Sequence, residues 1–188
     1  IRDRSYTSWL LHHAGVDPSF FIGGVTRNFD SNYRLGNGRY FVVEGDEYDT
    51  AWFDKVPKFW HYPTYAATIN NVEFDHADIY PNIGEIEHVF SRFAEQVDPS
   101  GIIWVNGDDP RAIACASHGT ARLQRFGLGE GNHLRAEILG ADESGTHVRV
   151  WHRELGDVRT TLSTMGAHNV RNFLGACGLA TAAGLTLA

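Results

Sequence analysis

The sequence predicts an α/β fold, a mostly parallel sheet flanked by helices with a small antiparallel β subregion. Three observations lead there. Short apolar runs at residues 40–43 (YFVV), 66–69 (AATI) and 101–105 (GIIWV) have the unbroken apolar character of strands covered on both faces. Helical patterns alternate with such runs, and that alternation builds parallel βαβ units. From residue 134 to residue 164 the texture changes to alternation punctuated by turn residues, as in antiparallel strands.

Each element has its own signal. Residues 7–14 (TSWLLHHA) carry apolar residues on one helical face, and Gly15 ends that helix. The apolar stretch 20–22 runs into Gly23-Gly24, and residues 26–38 are polar and predict a loop. The strand at 40–43 stops at Glu44, Asp46, Glu47 and Asp49; the strand at 66–69 stops at Asn70 and Asn71, with Asp75 and His76 just beyond. Ile83, Ile86, Val89, Phe90, Phe93 and Val97 recur mostly three or four apart, which predicts an amphipathic helix over 83–97. The strand at 101–105 meets Asn106-Gly107-Asp108-Asp109, and Pro110 suits the first turn of a helix over 111–117. Residues 122–126 predict a fourth strand, turns fall at 142–145 and at Gly156-Asp157, and residues 169–185, rich in Ala, Gly and Leu, predict a closely packed helix. Parallel sheets bind ligands beyond the carboxyl ends of their strands. Three predicted strands end in acid, Asn or His residues, so chemistry is expected along one sheet edge.

A chain of 188 residues suits one domain, and 43% hydrophobic with 21% charged residues is the balance of a soluble globular protein. A formal net charge of −7 argues against nucleic acid as a partner, because phosphate backbones demand a basic patch. It does not exclude a nucleotide, whose phosphates a metal ion can neutralise. Cys115 and Cys177 stand far apart with no CxxC, and predict two small buried residues of a reducing compartment. No apolar run reaches membrane-span length and the first six residues are not a signal segment, so no membrane partner is expected and the cytoplasm is the expected location.

Three clusters could carry chemistry. Glu44-Gly45-Asp46-Glu47-Tyr48-Asp49 offers hard oxygen ligands suited to Mg²⁺. Such a run taken alone fits a solvated loop better; its place directly after a buried strand favours a ligand role. Asn71-Val72-Glu73-Phe74-Asp75-His76 offers an imidazole with a neighbouring carboxylate to orient it, against the plainer reading of a surface turn with a helix cap. Gly166-Ala167-His168-Asn169-Val170-Arg171-Asn172 can cap a helix or hydrogen-bond a base edge. The pair His12-His13 predicts a solvent-facing position, and His61, beside Phe59, Trp60 and Tyr62, fits packing. HExxH and GxSxG are both absent, which removes support for zinc hydrolysis and for a serine-hydrolase elbow.

In this order and spacing the clusters resemble the Mur ligase family. The strand running into Glu44 resembles its E-A-D-E segment, Asn71 through His76 its N-x-x-x-D-H signature, Asn106-Gly107-Asp108-Asp109 its N-x-D-D turn, and Gly166-Ala167-His168-Asn169 with Asn172 its G-x-H-N-x-x-N stretch. The residues Glu47-Tyr48-Asp49-Thr50-Ala51, Phe53-Asp54-Lys55, Lys58-Phe59 and His61-Tyr62 look like the murein peptide ligase branch. The resemblance implies a P-loop NTPase-like central domain of an ATP-dependent amide ligase. Its substrates would be UDP-N-acetylmuramate and the tripeptide L-alanyl-γ-D-glutamyl-meso-diaminopimelate, joined through an acyl phosphate in peptidoglycan recycling. By motif position Glu44 would bind Mg²⁺ near the ATP β- and γ-phosphates and His76 a second Mg²⁺ near the acyl phosphate. Asn71 would order that metal site, and His168, Asn169 and Asn172 would lie near adenine or ribose.

The sequence departs from the family in one place. A G-x-x-G-K-[ST] phosphate loop precedes the family's first central-domain helix, and here Ile1-Arg2-Asp3-Arg4-Ser5-Tyr6 offers neither glycine nor lysine. The expectation is therefore residues 1–188 as one central domain, with 1–6 foreign to the family pattern, the loop and its preceding strand absent, and the flanking N- and C-terminal domains absent. On this reading the polypeptide alone is inactive. Three alternatives stay open: a non-catalytic module with weak nucleotide or metal binding, the central domain of a UDP-N-acetylmuramate–L-alanine ligase, and a folylpolyglutamate-synthase-like ligase, against which residues 48–62 speak.

Overall fold

A computed structural model describes residues 2–74 and 79–187. The chain divides into two compact units, Ile1–Glu44 with Phe126–Ala188, and Gly45–Arg125.

In the first unit, helix α1 (Arg2–His13) precedes strands β1 (Ser19–Thr26), β2 (Ser31–Arg34) and β3 (Phe41–Val43). These form a three-stranded sheet in the order β2-β1-β3, with β1 antiparallel to β2 and parallel to β3. Residues 26–38, expected as a loop, thus contain a strand. Ser31-Asn32-Tyr33-Arg34 has no apolar alternation because β2 is an edge strand whose side chains are exposed or half-exposed. Strand β3 also differs from expectation. Phe20 and Ile22 of β1 are buried on one face of the sheet, but Phe21, Val25, Tyr33 and Phe41 are exposed, so β3 is not covered on both faces. Gly36 and Gly38 follow β2 where only glycine fits: a Cβ would lie 2.2 Å from the Asp17 carbonyl oxygen and 2.0 Å from that of Val16, respectively. Asp17 fastens this crossing. Its carboxylate accepts from the Asn37 backbone N–H at 2.8 Å and from the Arg34 guanidinium.

The same unit holds β9 (Leu134–Asp142), β10 (Gly145–His152), β11 (Gly156–Leu162) and α4 (Ala167–Thr181). The three strands form the expected antiparallel meander, turning at Gly145 and Gly156, whose positive φ angles of 131° and 108° favour glycine. Val148 and Val150 point into the core while His147, Arg149 and Trp151 alternate outward, the period-2 pattern the sequence displayed. Helix α4 buries Gly175, Ala176, Gly178 and Ala180, small residues that let α1 approach closely. Tyr6 of α1 meets Phe173 edge to face at 5.5 Å between ring centroids, and its hydroxyl lies 2.8 Å from Thr164 Oγ1. The helix thus begins before Thr7, and Tyr6 is a packed part of the fold.

The second unit contains the hairpin β4 (Asp49–Ala51) and β5 (Asp54–Pro57), a 3-10 turn (Lys58–His61), β6 (Ala66–Ile69), α2 (Ile83–Gln96), β7 (Ile102–Asn106) and α3 (Pro110–Ala116). Strands β6 and β7 run parallel, pairing Ala66 with Ile102 through Ile69 with Val105. Helix α2 is capped by Asn82, whose Oδ1 accepts from the Glu85 N–H at 3.2 Å. It lays Ile86 and Val89 on a core with Phe59, Ile69, Val72, Ile103, Val105 and Cys115. Cys115 and Cys177 are both buried and unpaired by disulfide. The division between units runs through β8 (Arg122–Gly127), and the main sheet has the strand order β11-β10-β9-β8-β7-β6. Strand β8 is parallel to β9. Among the described residues no helix is long and apolar enough to cross a membrane.

Candidate functional site

Glu44 follows β3 directly, at the carboxyl end of a parallel strand pair. Its side chain is half-buried and Oε2 accepts a hydrogen bond from the Gly23 backbone N–H of β1 at 2.8 Å. A Cβ on Gly23 would fall 2.7 Å from that oxygen, so the bare backbone is what lets the carboxylate settle there. The remaining acidic residues of the run make local contacts. Asp46 Oδ1 accepts from the Tyr48 N–H at 3.1 Å, Asp49 Oδ2 lies 2.6 Å from Lys55 Nζ, and the Glu47 carbonyl accepts from the Tyr80 hydroxyl at 2.5 Å.

The second cluster leaves the end of β6. Asn71 is exposed, Val72 is buried, and the Val72 N–H donates to Asp109 Oδ2 at 2.9 Å. The other carboxylate oxygen of Asp109 caps α3, accepting from the N–H groups of Arg111 at 2.9 Å and Ala112 at 3.2 Å. Asn106 Oδ1 accepts from the Asp108 N–H at 3.1 Å and tightens the turn. One carboxylate thus joins the segment after β6 to the start of α3. His76 and Asp75 lie outside the described residues.

The third cluster opens α4. Gly166 has φ +94°, and its carbonyl accepts from the N–H groups of Asn169 and Val170. His168 is exposed, its imidazole reaching within 3.1 Å of where a Cβ on Gly166 would be. Asn169 is fully buried; its Nδ2 donates to the Met165 carbonyl at 2.6 Å, and its Oδ1 has no partner among the described residues. Asn172, half-buried, stands one turn beyond His168, so these two share a helix face and Asn169 turns inward.

A cleft that no sequence pattern announces lies beside the β4–β5 hairpin. It encloses about 420 Å³, and its lining includes Asp49, Lys55, Trp60, Tyr80, Glu85 and His88. Burial, and then the charges of Glu47, Asp49 and Asp46, push the Tyr80 phenol up to about 12, so it remains a neutral hydrogen-bonding group. On the other flank of the hairpin His61, expected as a packing residue, is half-exposed with Nε2 2.8 Å from Asp54 Oδ2.

The order of these clusters along the chain has a counterpart among known proteins. The sequence pattern of the Mur ligase middle domain matches residues 27–180. The chain belongs to the Mur ligase middle-domain family. Among its relatives, UDP-N-acetylmuramate--L-alanyl-gamma-D-glutamyl-meso-2,6-diaminoheptandioate ligase of Escherichia coli is 37% identical over 183 residues, and its Haemophilus influenzae counterpart 34% over 180. UDP-N-acetylmuramate--L-alanine ligase of Syntrophomonas wolfei is 36% identical over 184 residues. The alignments cover 95% and 96% of this chain for the first two but only 38% and 39% of those relatives, so the chain spans under two-fifths of their length. In three dimensions the Mur ligase middle domain described above matches the crystal structure of UDP-N-acetylmuramate:L-alanyl-gamma-D-glutamyl-meso-diaminopimelate ligase from Neisseria meningitides, with a TM-score of 0.85, 33% identity, and coverage of 98% of this chain and 58% of that one. A UDP-N-acetylmuramate-alanine ligase from Thermotoga maritima shares the fold at a TM-score of 0.76 and 22% identity, covering 100% of this chain and 40% of that one.

The family implies Mg²⁺, and Glu44 fits it as a hard oxygen donor held at a strand end. Among the described residues no group of three or more His, Cys, Asp or Glu could hold a metal by itself.

Proposed function

We propose that this Mur ligase middle domain serves an ATP-dependent ligase that joins UDP-N-acetylmuramate to L-alanyl-γ-D-glutamyl-meso-diaminopimelate in the cytoplasm, in peptidoglycan recycling. The observation that carries the reading is the 34% and 37% identity, over nearly all of this chain, to two ligases of that name. A carboxylate is too poor an electrophile for direct attack by an amine. A muramate carboxylate oxygen therefore attacks the γ-phosphorus of ATP, ADP leaves, and an acyl phosphate forms. The peptide amine adds to the acyl carbon, gives up a proton, and the tetrahedral intermediate expels phosphate together with the former carboxylate oxygen. Mg²⁺, when bound, offsets charge on the transferring phosphoryl group.

In this reading Glu44 holds a metal at the strand end, where the Gly23 N–H aims its carboxylate. His76, with Asn71 five residues earlier in sequence, would serve the second metal. His168 and Asn172 present one face of α4 to the nucleotide, while Asn169 fixes the loop that leads into that helix. The 188 residues contain no G-x-x-G-K-[ST] loop, so a polypeptide of only these residues is expected not to turn over. A second reading, transfer to L-alanine, has support in the 36% identity to the Syntrophomonas wolfei ligase.

Phosphate release by the complete gene product separates them. Release is expected only when ATP, UDP-N-acetylmuramate and the tripeptide are all present, with L-alanine a poor substitute. Preference for L-alanine would transfer the assignment to the second reading, and release indifferent to any amine would defeat both.

A further inference from the structure

The cleft beside the β4–β5 hairpin plays no part in the phosphoryl chemistry above, yet its lining has a definite chemical character. Asp49 and Lys55, on the paired strands β4 and β5, both line it, carboxylate and ammonium 2.6 Å apart. The Lys55 side chain is 65% exposed and that of Asp49 27%, so the pair stands in reach of solvent and adds little to stability. A fixed pair of opposite charges this close is the complement of an α-amino acid head, which carries an ammonium and a carboxylate on one carbon. Behind it Val56, Trp60 and Val89 give an apolar wall, and the Trp60 Nε1–H is already satisfied by the Val89 carbonyl at 3.2 Å. Methylene groups can lie there without stranding a polar atom. Tyr80, which also lines the cleft, feels the charges of Glu47, Asp49 and Asp46. Glu85 and His88, one turn apart on α2, complete the lining. A volume of about 420 Å³ falls within the range of small-molecule sites.

We propose that this cleft is the recognition subsite for the free end of the diaminopimelyl residue in the peptide substrate, its ammonium on Asp49, its carboxylate on Lys55 and its methylenes along Trp60. The assignment rests on the ligase reading above. In that peptide one amine of the diamino diacid is acylated, leaving a free α-amino acid head at the end of a short methylene chain. A lysyl residue in its place keeps the methylenes and the ammonium but lacks the carboxylate.

The test compares kcat/KM of the complete gene product for the diaminopimelyl tripeptide and for the analogue with L-lysine in that position, in wild type, Lys55→Met and Asp49→Asn. Wild type is expected to prefer the diaminopimelyl peptide. Lys55→Met is expected to lose that preference by at least about tenfold, the lysyl peptide being little affected. Asp49→Asn is expected to weaken both peptides by roughly the same factor, because both carry the ammonium. KM for ATP should move in neither variant. A wild type that turns over but whose preference survives both substitutions overturns the subsite and leaves the ligase reading standing. A wild type with no peptide-dependent turnover overturns the ligase reading and the subsite with it.

Discussion

At the scale of single residues, Glu44 and Gly23 are one device. The carboxylate takes its position from a backbone N–H that is approachable only because residue 23 has no side chain. In Gly23→Ala the new methyl and Glu44 Oε2 could not both keep their places, and the flexible carboxylate would give way rather than the strand. The expected outcome is a several-fold rise in the Mg²⁺ concentration for half-maximal activity, with thermal stability changed by only about 1 kcal/mol or less. An unchanged Mg²⁺ requirement would remove Glu44 from the metal site. Glu44 was legible in the sequence because it directly follows an apolar run. Its partner was not, because a backbone hydrogen bond from a strand 21 residues earlier leaves no trace in residue type.

At the scale of elements, Asp109 shows how a chemical-looking motif can be architectural. Asn106-Gly107-Asp108-Asp109 stands where a strand end meets a helix; Asn106 Oδ1 holds the turn, and the Asp109 carboxylate caps α3 and accepts from the Val72 N–H. Asp109→Ala removes both a cap and the acceptor of an N–H on a buried residue. Urea unfolding is expected to show a loss of about 2–4 kcal/mol, with Asp109→Asn losing less. A loss below about 0.5 kcal/mol would mean that the cap and the tether are replaceable by water. The helices and parallel strands of this unit were readable because apolar period and capping residues agree over 83–97 and 101–117. The β4–β5 hairpin was not: Asp49-Thr50-Ala51 and Asp54-Lys55-Val56-Pro57 are too short and too polar for alternation to register, and pairing alone makes them strands. The cleft went unseen for the same reason, since it exists only once the hairpin forms.

At the scale of the whole molecule, the sequence supports the fold class but not how each strand is covered. Strand β3 was expected to be covered on both faces, and Phe21, Tyr33 and Phe41 show one face of its sheet open. An unbroken apolar run signals a strand but does not report how many layers cover it. The antiparallel part, expected from alternation and turn residues over 134–164, is the meander β9 to β11. The candidate site is legible in the sequence as separate chain segments, Glu44, Asn71 with His76, and His168 to Asn172; Glu44 follows β3, Asn71 follows β6, and His168 to Asn172 lie at the start of α4. What unites them in this account is one chemical event, the transfer of the ATP γ-phosphoryl group to a carboxylate before an amine arrives. Isotopic labelling tests that event directly. UDP-N-acetylmuramate carrying ¹⁸O in its lactyl carboxylate should yield, with ATP and the tripeptide, inorganic phosphate bearing one labelled oxygen per turnover. Phosphate free of label would contradict activation through an acyl phosphate.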